Sequence, residues 1–564
     1  MKILSLVASV SLLAFASPAF AQQDGAQEAA APADDGDIIV TATRRSEALS
    51  DIPLAVSAVS GASLERTGAT DIRQLNQVSP SLLVSSTSSE AAGGGARIRG
   101  IGTVGDNPGL ESSVATFVDG VYRNRAGVGL TELGAIDRIE VLRGPQGTLF
   151  GRNASAGLIH VITAKPSQTF GATAEASYGN YNAFRFVGGV TGPLTSSISA
   201  RLDGVYTKRN GFLKEVVSGR TVNNRDRYMV RGQLLVEPSS DFSVRLIADY
   251  SDRKEECCAA TYLPTAVITA AAGGGFNRLA NPITAVLRGL GGIINDKPFV
   301  RSVSITPGQS YRGDVRDYGF SAEANYALGS STLTSITSYR NWRWLRGQDA
   351  DFNNLDILHR EDDGSANQKF STFTQELRLQ GKAVDGKLDW LVGGYFANET
   401  LTLNDNLAFG SDYTAYANAL TRLSSPTFPG YAVVGTLLSP SAPLTLNGVQ
   451  INDHYKQTSR NYAFFTHNKF SFSDSLSLTI GVRYTNERKK LDATLTDNNA
   501  MCRTLSNLAT SHPLYGTGQL ACVIPGVPGG SFSQSGATKR EHRFTGTAVL
   551  GFKPTDDLLT YVSF

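Results

Sequence analysis

The chain has 564 residues, with 57 Gly, only 3 Met, and 52 basic against 50 acidic side chains. A formal charge of +2 points away from nucleic acid or a strongly acidic partner. After the N-terminus nothing approaches the ~18 consecutive apolar residues of a membrane helix, and the 41% hydrophobic content is spread too thinly for a string of ordinary globular domains.

Met1-Lys2 is followed by the apolar run "ILSLVASVSLLAFA" and then by Ala19-Phe20-Ala21, a small-x-small cleavage signal. Residues 1–21 therefore read as a signal peptide, cut before Gln22, and the chain as an exported one. Residues 22–37, "QQDGAQEAAAPADDGD", are acidic, Ala-rich and aperiodic, which predicts a flexible tether. From Ile38 to about Pro166 the pattern is a mixed α/β domain. Short strands are expected at 81–84, 96–100, 114–122 and 136–144, and helical spacing runs over 60–78 around Leu64, Ile72 and Leu75.

From Gly171 onward the hydrophobic period is two. In "SLSLTIGVRYTNE" (475–487), Leu476, Leu478, Ile480, Val482 and Tyr484 share one face, and Thr479, Gly481 and Arg483 share the other. Tyr228, Val230 and Leu234 oppose Arg231 and Gln233 in the same way, and Leu246 and Tyr250 oppose Arg245 and Asp249. Strands of about ten residues, apolar on one face and charged on the other, are the mark of an outer-membrane β-barrel. A soluble β-sandwich also alternates. Connection lengths favour the barrel: short joints such as 191–196, 237–241 and 471–475 alternate with long loops near 207–225, 252–312, 345–367, 401–455 and 490–540. About thirteen strands fit the chain, an odd number that leaves a sheet edge unpaired.

The stretch "RGPQGTLFGRNASAG" (143–157) invites an enzymatic reading that its residues refuse. A phosphate loop needs Lys and a hydroxyl after its last glycine, and Gly151 is followed by Arg152-Asn153. A nucleophile elbow needs Gly two residues before the serine, where Asn153 stands before Ser155. The six histidines (160, 359, 454, 467, 512, 542) are scattered, so no catalytic or metal site is expected. Of the four cysteines, Cys502 and Cys522 flank a loop and are expected to form a disulfide. Adjacent Cys257 and Cys258 either bridge or stay thiols.

Several segments together resemble the TonB-dependent outer-membrane receptors, in particular a branch abundant in sphingomonad-like and Caulobacter-like bacteria. They are "DIIVTATRR" (37–45), "RIRGIGT" (97–103), "VATFVDGVYR" (114–123), "IDRIEVLRGPQGTLFGRNASAG" (136–157), "LIHVITAKP" (158–166), "FTQELRLQG" (373–381) and "DLLTYVSF" (557–564). The resemblance implies a transmembrane antiparallel β-barrel of about 22 strands with an N-terminal α/β plug in its lumen. Residues 38–45 would be the TonB box, with Ile38, Ile39, Val40, Thr41, Ala42 and Thr43 binding the TonB energy-coupling protein and its inner-membrane motor by strand addition. Residues 46–166 would be the plug and 167–564 a partial barrel, C-terminally truncated. Arg97, Arg99, Gly100, Asp119, Gly120, Glu140, Arg143, Gly144, Gly147, Gly151 and Arg152 would be plug structural residues. The glycines would serve tight turns, and Glu140, Arg143 and Arg152 would pair with charges on the inner wall such as Arg201, Asp203, Arg231, Arg245 and Asp249.

The implied activity is active transport across the outer membrane, with no cofactor and no nucleic acid involved. A ferric siderophore is the leading cargo, with a glycan, vitamin or aromatic compound as the alternative. A passive porin, a surface adhesin and an enzyme are the competing classes. Arg123, Arg125, Tyr413 and Tyr416 are the candidate cargo contacts.

Overall fold

Alternation of period two from Gly171 onward produces one dominant sheet. The computed structural model describes residues 38–68, 72–77, 79–85, 95–103, 109–123, 132, 134–262, 266–270, 274–295, 297–523, 531–555 and 558–564. The expected signal peptide and tether lie outside these residues, as does Arg125. Thirteen strands pair in sequence order, each antiparallel to the next, from Gly171–Gly179 to Leu558–Ser563. The expected strand count is met, and the sheet has two end strands rather than a closed seam.

Burial shows which face is which. Leu202, Phe320, Leu377, Phe464 and Ile480 are exposed, whereas Asp203, Arg231, Arg245 and Arg483 on the opposite face are buried. This inverts a soluble protein, as expected of a wall with lipid outside and a filled lumen inside. The strands are longer than the ten residues anticipated, reaching 25 in Ser531–Thr555. Polar and charged residues carry the ladder past the apolar band. The connections 196–197, 240–241, 329–330 and 384–387 are short, whereas 254–312, 406–450 and 498–530 are long. Short turns mark the periplasmic end and long loops the external one.

The lumen holds a five-stranded mixed sheet ordered Val56–Ser60, Ile136–Arg143, Gly157–Thr163, Val114–Val118 and Val121–Arg123. Leu142, Leu158, Ile139 and Ile159 fill its two apolar faces. Two expectations differ here. The single strand at 114–122 is a hairpin, because Asp119 (φ 47°) and Gly120 (φ 77°) turn the chain. Asp-Gly suits a two-residue turn with positive φ at both positions. The helix over 60–78 ends at Thr67, where Gly68 (φ 67°) caps it in the left-handed region, and a 3₁₀ segment follows at Ile72–Gln77.

The external loops build a second core of their own. Helices Pro282–Gly289, Tyr413–Ser424, Tyr431–Leu438 and Ala500–Ser506 bury Leu287, Tyr431, Val434, Met501 and Leu505 together. The Cys502–Cys522 disulfide ties this cap, with S–S 1.96 Å. Cys257 and Cys258 are also bonded to each other.

Candidate functional site

Ile39–Val40 pairs antiparallel with Glu47–Ala48, so the box folds back as a two-residue ribbon. Its residues divide sharply by exposure. Ile38 and Ile39 are 52% and 47% exposed, while Val40 and Ala42 are fully buried. The Thr41 amide donates to Glu140 Oε1 at 2.8 Å and its hydroxyl donates to the same oxygen at 3.1 Å. Thr43 donates to Glu47 Oε2.

Glu140 is fully buried on the second strand of the plug sheet, in register with His160 of the central strand. Arg138 Nε donates to it at 2.9 Å and His160 Nδ1 lies 3.8 Å away. The Gly120 amide donates to His160 Nε2 at 3.2 Å, which leaves the ring proton on the Nδ1 side facing Glu140 and Thr41. Burial alone would raise the Glu140 pKa, but His160, Thr41 and Arg138 outweigh it and hold the carboxyl below its usual value. One plug carboxylate thus anchors the box.

The next residue of the ribbon is a latch that sequence reasoning passed over. Arg44 (φ 64°) drives its guanidinium over the Phe150 ring, 4.3 Å from the centroid, and onto Glu376 Oε2 of the barrel wall at 3.2 Å. Burial pulls its pKa down to about 10, with Glu376 opposing. Arg45 donates to the Asp389 and His467 carbonyls at 3.2 and 3.1 Å. The only signal was the Arg-Arg pair closing "TATRR", which composition cannot tell from a solvated turn. A cavity of about 530 Å³ lies alongside, lined in part by Ile39, Thr41, Asp119, His160 and Arg245.

Of the expected plug–wall pairings, Arg152 makes one with different partners. It meets Glu399 at 2.5 Å, Glu487, and Glu111 of the plug at 3.1 Å. Two expectations need correcting. Glu140 is satisfied inside the plug, and Arg143 donates to the Ala55 and Val56 carbonyls at 3.3 and 3.5 Å rather than to the wall. Arg245 and Asp249 do face the plug, but their partners are Asp119 at 3.2 Å and Arg123 at 3.9 Å. Arg201 pairs with Asp203 on its own strand. Arg245 and Arg231 overcome the burial of Asp119 and keep its carboxyl below the usual range.

The glycines divide too. Gly144 (φ 86°) and Gly100 (φ 80°) occupy left-handed turns, and a Cβ on Gly151 (φ 84°) would sit 2.8 Å from the Arg483 guanidinium. Gly147 opens the helix Gly147–Phe150 with neither positive φ nor a close neighbour, so no turn requires it. Arg97 is half-buried on strand Gly95–Ile98, and Arg99 (φ 52°) sits exposed in the turn that follows.

The aromatic cargo candidates are also corrected. Tyr413 is core: its ring stacks on Phe409 at 3.5 Å and its hydroxyl donates to the Leu520 carbonyl at 2.6 Å. Tyr416 packs against that cluster. Facing the lumen instead are Trp342 and Trp344, clustered with Val315, Phe370 and Leu401, their indole N–H groups without a partner among the described residues. Alternate positions in "NWRWLR" carried that signal. Arg123 is buried, and its Nε and Nη1 are likewise unpartnered. Among the described residues no group of three or more His, Cys, Asp or Glu could hold a metal ion.

Residues 48–158 match the TonB-dependent receptor plug domain, and residues 261–564 match the TonB-dependent receptor-like β-barrel. The chain is 27% identical over 209 residues to the pesticin receptor of Yersinia pestis, covering 36% of this chain and 28% of that protein. It is 30% identical over 227 residues to the iron-regulated outer membrane virulence protein of Vibrio cholerae, covering 36% and 31%. The vitamin B12 transporter BtuB of Vibrio vulnificus matches at 29% over 147 residues, covering 25% and 23%. The chain thus spans less than a third of each of these relatives. In fold it is similar to the ferric yersiniabactin uptake receptor FyuA of Yersinia pestis, with a TM-score of 0.66 at 16% identity over 90% of this chain and 64% of that one. The ferric-catecholate import receptor Fiu of E. coli aligns with a TM-score of 0.60 at 16% identity, over 92% and 70%.

Proposed function

Because this chain belongs to the TonB-dependent receptors, we propose that it carries a scarce solute through the outer membrane on energy delivered by TonB, with a ferric siderophore as cargo. The observation that carries this reading is the divided box. Two exposed β-branched residues, Ile38 and Ile39, offer a strand to a partner's sheet edge. Two residues further on, Thr41 is bonded to the buried carboxylate of Glu140 in the plug sheet. A pull along the strand is therefore delivered first to Glu140 and the strand Ile136–Arg143, and then to the sheet that fills the lumen. Arg44 ties the same ribbon to the wall, so traction also works against a fixed point.

A passive porin needs an open lumen, and here plug and wall meet through buried ion pairs. The cargo class is supported by what the relatives' names say of them, an iron-regulated outer membrane protein, a ferric yersiniabactin uptake receptor and a ferric-catecholate import receptor among them. Trp342, Trp344 and Arg123 replace Tyr413 and Tyr416 as the candidate cargo contacts, because each keeps a buried donor that has no partner among the described residues.

Radio-iron uptake by iron-starved cells, with the native residue or Ile39→Pro, tests the reading. Proline removes the amide that strand addition uses. Uptake should fall to background while the protein stays in the outer membrane. Equal uptake by both strains would sink the iron assignment and direct the same pair to oligosaccharides and vitamins.

A further inference from the structure

The lipid-facing side of the barrel carries charge where the strands emerge from the apolar band. On three adjacent strands Arg316 is directly opposite Arg343, and Arg343 is opposite Lys369. Three further adjacent strands repeat the arrangement, with Arg460 opposite Arg488 and Arg488 opposite Arg540. All six residues are exposed, on the same face as the lipid-facing Tyr339, Phe373, Tyr462 and Phe544.

Like charges directly opposed across an antiparallel pair are destabilising. The protein supplies little to offset them. Arg316 has Asp252 at 3.3 Å, and Arg460 has a neutral partner, the Asn398 amide oxygen, at 3.3 Å. Among the described residues, Arg343, Lys369, Arg460, Arg488 and Arg540 have no carboxylate within 4.0 Å. Two separate rows of three cations, each unbalanced, call for an anion from outside the chain.

Depth says where that anion comes from. Within each row the basic residues stand two, four and four positions outward of an aromatic on the same strand: Tyr318, Tyr339 and Phe373 in the first, and Tyr462, Tyr484 and Phe544 in the second. Aromatics at strand ends mark the interface between hydrocarbon and headgroups. Cations one or two outward steps beyond them reach the headgroup layer with long, flexible stems. Adjacent strands lie about 4.8 Å apart, so a row of three spans roughly 10 Å, room for a headgroup bearing more than one phosphate. The long external loops emerge at this end, so the layer is the outer leaflet.

We propose that each row is a binding site for the phosphate groups of an outer-leaflet lipid headgroup, two sites among the described residues. The lipid's phosphates neutralise the opposed cations, of which the chain pairs only Arg316 with a carboxylate, and the girdle aromatics pack against its acyl chains.

Native mass spectrometry of the receptor, extracted from its own outer membrane into neutral detergent, tests this. The probes are a bis-phosphorylated glycolipid, the same glycolipid dephosphorylated, phosphatidylcholine and inorganic phosphate. The unaltered receptor should retain bis-phosphorylated lipid, two molecules of it dependent on these rows, and neither the dephosphorylated glycolipid nor phosphatidylcholine. Arg343→Gln and Arg488→Gln should each remove one, and the double variant should retain at least tenfold less. Arg343→Lys with Arg488→Lys keeps the charge and should keep both lipids, which separates lost binding from lost folding. Equal retention by the double glutamine variant would overturn the proposal, as would equal retention of phosphatidylcholine. Displacement of the lipid by millimolar inorganic phosphate would overturn the lipid as the source of the anion.

Discussion

The plug–wall interface and the external loop cap are both buried, and they differ in how much charge they bury. Between plug and wall an apolar patch, where Leu149 and Phe150 meet Leu391 and Phe465, is surrounded by buried ion pairs: Arg152 with Glu399 and Glu487, Arg245 with Asp119, Arg44 with Glu376. In the cap the contacts are apolar, with Tyr431, Met501, Leu505 and Val434 almost wholly out of water and a disulfide across them. Apolar burial makes a joint that needs no partner water and resists separation. A charged joint can exchange its partners for water when it opens, so it suits a body that has to move within the lumen. The difference predicts that the plug is the more easily loosened of the two.

The comparison can be broken most directly at Arg152. Arg152→Ala leaves Glu399 buried without its cation while Lys489 still holds Glu111 and Glu487, a loss of about 3–5 kcal/mol at that joint. Hydrogen exchange across 147–163 should rise well above the unaltered protein while the cap is unchanged. An unchanged plug would show that the charged joint does not hold it. Cys502→Ser with Cys522→Ser should do the converse. Releasing a link between residues 20 apart costs about 3 kcal/mol, so proteolysis within 498–523 should accelerate and plug exchange should not.

Acid should sharpen the contrast. The Glu140 carboxyl is held below its usual value of 4.5 in the folded state. Its contribution is therefore complete above that value and is lost as the pH falls through the lowered one. Docking of the box, read as protection of the Thr41 amide, should weaken in acid, and Glu140→Gln should weaken it by about 1–3 kcal/mol at neutral pH. The cap should show no such dependence. The smallest effect is expected of Met501→Leu, a volume-conserving change costing under about 1.5 kcal/mol. Thermal unfolding of the cap should barely move.

Much of the architecture was legible because it follows from local periodicity. Leu476 to Tyr484 alternate with Thr479 to Arg483, and the structure turns those two sets outward and inward as the alternation requires. Where the reading failed, partners were the issue. Glu140 and Arg143 were expected at the wall and are satisfied within the plug. Tyr413 was expected to meet cargo and stacks on Phe409. Arg44 and Trp342 drew no attention because their roles depend on Glu376 and Phe370, remote in sequence for the one and on a neighbouring strand for the other.

By itself, then, the sequence determined the barrel wall, the class of the plug and the family. A strand's two faces are written in every second residue, and the motifs are contiguous. Only tertiary structure decided which carboxylate anchors the box, which arginine reaches the wall and which aromatics face the lumen. A buried charge takes whatever counter-charge the fold brings within about 4 Å, and no local pattern encodes that choice.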